Sequence, residues 1–244
     1  MRSRFFLFLT VLLLLGGCAS HKPTLSERAE IDYNKAKELV AGDRFSEATI
    51  FLDKFSAKHP YSKYVASAAL LRVYAAYMDK EIVLSEVLAQ RFLDKHPTNA
   101  DRDYALYMLA MSHYMERDTP ERDPTHTAKA IKVFSKLIKE FPKSHYAEDG
   151  RGRLQKLSNE LAGHELTVAH YYFDHHRLVA AANRLQVIIK KYQTSPQIEE
   201  ALYLLAACYH GLKLNSDAKQ TTQLLTSNYP NSKWSARATD LTGR

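Results

Sequence analysis

Four of the chain's eleven histidines crowd one stretch, at His164, His170, His175 and His176. Imidazole is a common zinc ligand, and Gly163-His-Glu-Leu-Thr-Val168 opens like the HExxH helix of a zinc protease. The second histidine of that motif would be residue 168, which is Val168. His164 and His170 are six apart and lie on different sides of a helix. His175 and His176 are adjacent and cannot face one site in a helix. The set reads as solvated helix surface, and no metal is expected. Gly150-Arg-Gly152 lacks the preceding strand of a phosphate loop and reads as small residues at a helix start. No GxSxG or P-loop is present, and acids and histidines are scattered at helix-surface spacing. The expectation is a protein with no catalytic residues and no dissociable cofactor.

Cysteine chemistry is more specific. Arg2 and Arg4 precede an apolar run, Phe5 to Leu15, that is too short to span a bilayer and right for a signal sequence. The run ends Leu15-Gly16-Gly17-Cys18, an aliphatic residue, two small ones and a cysteine, which resembles a bacterial lipobox. The implied processing removes residues 1–17 and leaves Cys18 with an N-acyl and an S-diacylglycerol lipid, anchoring the chain in a membrane. Ala19 and Ser20 stand where some lipoproteins carry an inner-membrane retention aspartate, so the sorting rule implies the periplasmic face of the outer membrane. Cys208 then has no partner and reads as a small buried apolar residue. Losing Arg2 and Arg4 takes the formal charge from +7 to +5. That mild excess suits an acidic partner surface or anionic headgroups and does not argue for nucleic acid.

The elements behind these residues repeat. In Phe45 to Tyr64 apolar or small residues fall at Phe45, Ala48, Leu52 and Phe55, one side of a helix. His59-Pro60 stops that helix, and Ser62 is placed to cap the next. With Ala48 as marker, counterparts are Ser85, Ala130, Ala181 and Ala218, at spacings of 37, 45, 51 and 37. Proline follows twelve residues on at Pro60, Pro97, Pro142 and Pro230, with Gln193 in the fourth copy. Cap-type residues follow at Ser62, Asn99, Ser144, Ser195 and Ser232, the fourth continuing as Ser195-Pro196. A two-helix period of this length is of the tetratricopeptide type. The fold class is therefore all-α, a superhelical solenoid of five such repeats. The surplus in the third spacing falls where His145 to His175 reads as one long helix, bent if anywhere near Gly163. The second spacing's surplus falls in a charged loop ending Asp123-Pro124, a cap and first-turn pair. Ser26 is the expected cap of the first helix, with Gly42 ending it. First helices are expected over Lys63–Met78, Ala100–Arg117 and Pro196–His210, and Trp234 in a short last helix should cover the end of the stack. The division is 1–17 signal, 18–25 lipidated tether, 26–142 repeats one to three, and 143–244 repeats four and five with the long helix and cap.

Many of the fifteen tyrosines fall in first helices, which line the concave face of such a solenoid. Tyrosine offers apolar area with a hydrogen-bonding tip and suits recognition of extended peptide. Tyr74, Tyr77, Tyr107 and Tyr114 are the candidates for such a groove, against ordinary packing between helices. Arg184 lies on the outer face of its helix, away from Ala181, Leu185 and Ile188, and by itself reads as a solvated arginine.

Lipobox and repeats together resemble one family, the BamD (ComL) lipoproteins of the β-barrel assembly machinery. The segments that carry the likeness are Pro60-Tyr-Ser-Lys-Tyr64, Val73-Tyr-Ala-Ala-Tyr77, Asp103-Tyr-Ala-Leu-Tyr-Met108, Arg122-Asp-Pro124, Val168-Ala-His-Tyr-Tyr172 and Val179-Ala-Ala-Ala-Asn-Arg-Leu185. They span about residues 15–230, though the loop before Arg122 is shorter than the family's. The resemblance implies a non-enzymatic scaffold. Its C-terminal repeats would dock on the periplasmic domains of the barrel-forming subunit, beside accessory lipoproteins. Its N-terminal repeats would receive unfolded outer-membrane proteins. Arg184 matches the family's arginine facing the barrel subunit. The alternative is a tetratricopeptide lipoprotein of pilus assembly or cell-division coordination. A peptidoglycan hydrolase would need a catalytic domain that no stretch supplies, and a periplasmic chaperone would not need the anchor.

Overall fold

The computed structural model describes residues 24–118 and 125–243, except the side chain of Thr242. The expected leader, Cys18 and the tether as far as residue 23, and the Arg122-Asp-Pro124 helix start, lie outside the described residues; the last two tether residues, Thr24 and Leu25, are the cap and first residue of α1. All regular structure among those residues is helical. In order it runs α1 (Leu25–Ala41), α2 (Phe45–Asp53), α3 (Phe55–Lys58), α4 (Val65–Met78), α5 (Ile82–Lys95) and α6 (Arg102–Glu116). It continues with α7 (Thr125–Glu140), α8 (His145–Asp174), α9 (Leu178–Lys191), α10 (Ile198–Gly211), α11 (Asn215–Asn228) and α12 (Lys233–Thr242). None of these helices is long and apolar enough to cross a membrane. Each helix packs mainly on its sequence neighbours, and α1·α4, α4·α6 and α6·α8 touch directly, so the first helices form a continuous inner layer.

The five marker residues hold the pairs together. Ala48, Ser85, Ala130 and Ala181 have no exposed surface and Ala218 has 1%. A small side chain there lets the two backbones of a repeat approach closely. Ser85 is the one polar marker, and its buried hydroxyl donates to the Val73 carbonyl across the pair at 3.1 Å. Around the markers Phe134, Leu137, Leu185, Ile188 and Leu225 are completely buried. Each such side chain contributes about 1.5–3 kcal/mol by leaving water.

Two backbone turns recur around these pairs. Between first and second helix the chain makes the same three-residue connection four times, with Asp43, Lys80, His176 and Lys213 left-handed at φ between 56° and 67°. In the first, the Asp43 N–H donates to Val40 O and the Arg44 N–H to Leu39 O, the paired bonds of a Schellman motif. The expected terminator Gly42 stays on the right-handed side at φ −93°. Asp43, one residue later, carries the reversal, because the Schellman bonds require it of the residue after the cap. Between second and first helix, His59, His96, Phe141, Tyr192 and Tyr229 each donate back four residues and accept from the N–H three residues on. Tyr192 does so ahead of Gln193, so the turn does not depend on proline.

The capping expectations hold in part. Ser62, Asn99, Ser144 and Ser232 each accept through the side chain from the N–H two residues on, at 2.8–3.1 Å. Ser144 and Ser232 thereby cap α8 and α12, whereas Ser62 and Asn99 close a turn ahead of helices whose caps are Tyr64 and Asp101. Ser195 does not: its hydroxyl is buried without a hydrogen-bond partner. The Ile198 N–H donates to the Ser195 carbonyl, the bond also found at Ser62, Ser144 and Ser232, and the helix starts at Ile198 rather than Pro196. Helices α4 and α6 likewise start two residues later than expected, after a tight turn, and α6 stops one residue early at Glu116. The first cap is Thr24 rather than Ser26, because Thr24 and Glu27 close a reciprocal capping box. The helix from Phe45 is interrupted at Lys54, where ψ is near 2° and α3 begins anew.

The long helix is continuous through Gly163, whose carbonyl accepts from Thr167 Oγ1 at 3.0 Å. Ala147 and Leu157 of α8 belong to the core shared with α4–α7, while Ala162, Leu166 and Ala169 belong to the core shared with α9–α12. The change of core therefore falls inside α8, later than the expected 142/143 division. Gly150 allows the close approach on the first side, since a Cβ there would lie 3.2 Å from Phe134 Cδ1. At the far end Trp234 stacks on Tyr203 with ring centroids 5.2 Å apart, covering the last pair as expected.

If the markers set helix approach, enlarging one should cost more than its added apolar area returns. Ala130→Leu and Ala181→Leu should each lower stability by about 1–3 kcal/mol. Urea unfolding followed by circular dichroism measures this; an unchanged midpoint for both would remove the marker from the account.

Candidate partner-binding surfaces

The inner layer carries an aromatic cleft. It is lined from α1, α4, α6 and α8, with Tyr33, Tyr74, Tyr104 and Tyr146 among its walls and Asp101 and Asp103 at one side. Tyr33 stacks on Tyr64 at 5.0 Å, and Tyr146 lies 5.1 Å from Tyr104 and 5.2 Å from Tyr107 between ring centroids. Asp103 accepts from Ser144 Oγ at 2.6 Å, tying α6 to the start of α8. One residue thus caps a helix and braces the cleft wall.

The four tyrosines expected to form a groove divide. Tyr74 lines the cleft and meets Phe45 edge-on at 6.4 Å. Tyr107 is half-buried and donates its hydroxyl to Asp149 Oδ2 at 2.8 Å, an atom that also accepts from Arg153 Nε at 2.5 Å. Burial works to raise the Asp149 carboxyl, but the bonds from Arg153 and Tyr107 outweigh it and hold the group below the usual carboxylate value. Tyr77 is half-buried and its phenol is pushed up by that burial, against the opposing field of Arg153. Tyr114 is only 9% exposed and belongs to the packed core. The Arg117 guanidinium lies 3.8 Å over its ring and Arg153 lies 5.1 Å away. Its position on the core side of α6, facing Phe134, makes it a packing residue, correcting its place among the groove candidates. Arg153 is the group that Tyr77, Tyr107 and Tyr114 share. It went unnoticed in the sequence, although the Asp149/Arg153 i,i+4 pair was a visible signal.

Arg184 stands on the outer face of α9 with its side chain 44% exposed, 3.3 Å from Glu165 of α8. A shallow depression lined by Tyr172, Ala180, Asn183 and Val187 surrounds it. Exposed Tyr171 and Val179 lie on the same two helices. Three of the conspicuous histidines have structural uses: His170 of α8 pairs with Glu200 of α10 at 2.9 Å, His175 Nδ1 meets Tyr171 O at 2.7 Å, and His176 is a turn residue. Cys208 is fully buried, and that burial pushes its thiol up to about 11.

With this geometry in hand, comparison with known proteins is decisive. The family model described as "YfiO: Outer membrane lipoprotein" matches residues 27–225. The chain belongs to this BamD (YfiO) family of outer membrane lipoproteins. It is 32% identical over 228 residues to the outer membrane protein assembly factor BamD of Rickettsia prowazekii, covering 93% of this chain and 91% of that one. It is 30% identical to the BamD of Neisseria meningitidis serogroup A, covering 93% and 91%. Among solved structures, the TPR2AB domain of yeast Sti1 in a pHSP90 complex has a TM-score of 0.44 at 14% identity, covering 87% of this chain and 83% of that one.

The tyrosines give a pH-dependent signature. Burial pushes the Tyr107 phenol up to about 12, and the bond to Asp149 adds to it; Tyr104 is raised further by burial among Tyr146, Tyr74 and Tyr107. A group raised in the folded state stabilises it fully below its unfolded value, about 10 for tyrosine, and loses that contribution as pH climbs toward the folded value. Ultraviolet titration should therefore show two phenols ionising after the rest, with stability falling above about pH 10. Tyr107→Phe should remove one late phenol; a titration unchanged by that substitution would refute the assignment.

Proposed function

We propose that this chain is a lipid-anchored, non-enzymatic scaffold of outer-membrane β-barrel assembly. The observation that carries the reading is the aromatic cleft on the inner layer, in a chain of the BamD family. The cleft offers ring faces and phenol hydroxyls spread over four successive first helices, which suits extended, unfolded chain rather than a compact ligand. Unfolded outer-membrane proteins are the substrate this reading names, received along Tyr74, Tyr77 and Tyr107. The second half, α8–α12, would dock on the periplasmic domains of the barrel-forming subunit, with accessory lipoproteins beside it.

Arg184 is the proposed contact for that subunit. Its one ion pair is with Glu165, and in it the Arg184 side chain is 44% exposed while Glu165 is 18% exposed. A carboxylate of the partner would displace Glu165 at small cost and gain a charge-assisted bond in a drier interface. Arg184→Glu would set two acids against each other there. Pull-down of the chain in mild detergent should then recover much less of the large barrel subunit, with the helical content unchanged by circular dichroism. Undiminished recovery would sink the role given to Arg184.

Cys18 would carry the N-acyl and S-diacylglycerol groups that hold the protein to the periplasmic face of the outer membrane. A single acyl chain binds membranes only marginally and several bind stably. Cys18→Ala should shift the protein from the outer-membrane fraction to the soluble periplasm; retention in the membrane fraction would exclude the lipid as the main anchor.

A further inference from the structure

One cluster belongs to neither surface. Glu86 of α5, His113 of α6 and His126 of α7 each present one ligand atom, and these atoms lie within 4.8 Å of one another. His113 is only 6% exposed. Its Nδ1 is 3.3 Å from Glu86 Oε2, yet neither it nor the buried Nδ1 of His126 makes a hydrogen bond. The two imidazole rings face each other obliquely at 5.8 Å. Buried polar atoms without partners are uncommon, and here two sit beside one carboxylate.

A tetrahedral zinc site explains the arrangement. Zinc holds nitrogen and oxygen ligands at about 2.0–2.2 Å, which at tetrahedral angles separates neighbouring ligand atoms by about 3.3–3.6 Å. The 3.3 Å between His113 Nδ1 and Glu86 Oε2 is such an edge. In that geometry the imidazole lone pair points at the metal and away from the line to the neighbouring ligand. A ligand pair of that kind sits close without a hydrogen bond, as His113 Nδ1 and Glu86 Oε2 do here. With the ligand atoms within 4.8 Å of one another, His126 completes the triangle by a closure of at most about 1.5 Å, within side-chain rotation.

We propose that Glu86, His113 and His126 form a zinc site with a fourth position open to water. The site joins three helices and fixes the first turn of α7 against α5 and α6. Lys129, Lys132 and Lys136 line the adjoining cleft. Their charge weakens cation binding and keeps the site from being a very tight one.

The test uses the full chain extracted from membranes in detergent, without a histidine tag and stripped by chelator. Cobalt(II) should give the visible absorption of a tetrahedral site at one ion per chain, displaced by one equivalent of zinc. Zinc should also raise the melting temperature. His126→Gln and Glu86→Gln, both at partly exposed positions, should each weaken binding by roughly tenfold or more. His175→Gln should leave binding unchanged. The assignment is overturned if the full chain gives no tetrahedral cobalt spectrum, or if His126→Gln and Glu86→Gln bind as the parent does. A thiolate-to-cobalt band, placing the metal on cysteine, overturns it equally.

Discussion

Close crossing of paired helices is the constraint on which this molecule rests. Ala48, Ser85, Ala130, Ala181 and Ala218 leave room for nothing larger than a methyl or hydroxymethyl group. Once two helices cross that closely, the chain between them has little freedom. Four of the connections adopt one Schellman geometry, and three of them place a residue other than glycine, asparagine or aspartate in the left-handed region, at Lys80, His176 and Lys213. A left-handed conformation costs such residues about 1–2 kcal/mol. The structure tolerates that cost because the turn's two backbone bonds and the helix pair both depend on it. Ser85 shows the same economy: its buried hydroxyl recovers part of its desolvation cost by donating to Val73 O.

The long helix turns this repeated device into one body. Helix α8 has thirty residues, so it runs about 45 Å. Its first half is packed in one core and its second half in the other. Both candidate surfaces are built on it, since Tyr146, Asp149 and Arg153 border the aromatic inner layer and Glu165 and Tyr172 border the Arg184 depression. Asp149 and Glu165 are separated by sixteen residues, about 24 Å along the axis. A load on one surface is therefore carried to the other by unbroken helix rather than by a hinge.

What could be read from the chain was what repeats. Marker positions, flanking apolar residues, the long helix and the terminal tryptophan all follow from spacing, because burial on a helix imposes period. Features that depend on which backbone group finds which partner were not legible. Thr24 displaced Ser26 as cap because Glu27 completes its box, and the Ser195 hydroxyl is left without a partner. Tyr114 lies seven residues after Tyr107 on the same helix, yet it is buried in the core where Tyr107 is half-buried. The local cluster of histidines drew attention in the sequence, whereas the two that converge with unpartnered atoms, beside a glutamate, come from separate helices. Glu86, His113 and His126 are brought together only by the stacking of α5, α6 and α7.

That contrast bears on which arginines can meet a partner. Arg117 and Arg153 lie against the Tyr114 ring, and each also has a carboxylate, Glu160 for Arg117 and Asp149 for Arg153. Removing either from its place gives up a cation–π contact of about 0.5–2 kcal/mol as well as the ion pair. They are held by the fold and brace α6 against α8. Among the described residues Arg184 has one carboxylate neighbour, Glu165, no cation–π contact like those of Arg117 and Arg153, and nearly half its side chain in water. Redirecting it breaks that single ion pair. An arginine so loosely held contributes little to the fold it stands on, and its free donors are the ones an incoming carboxylate can use.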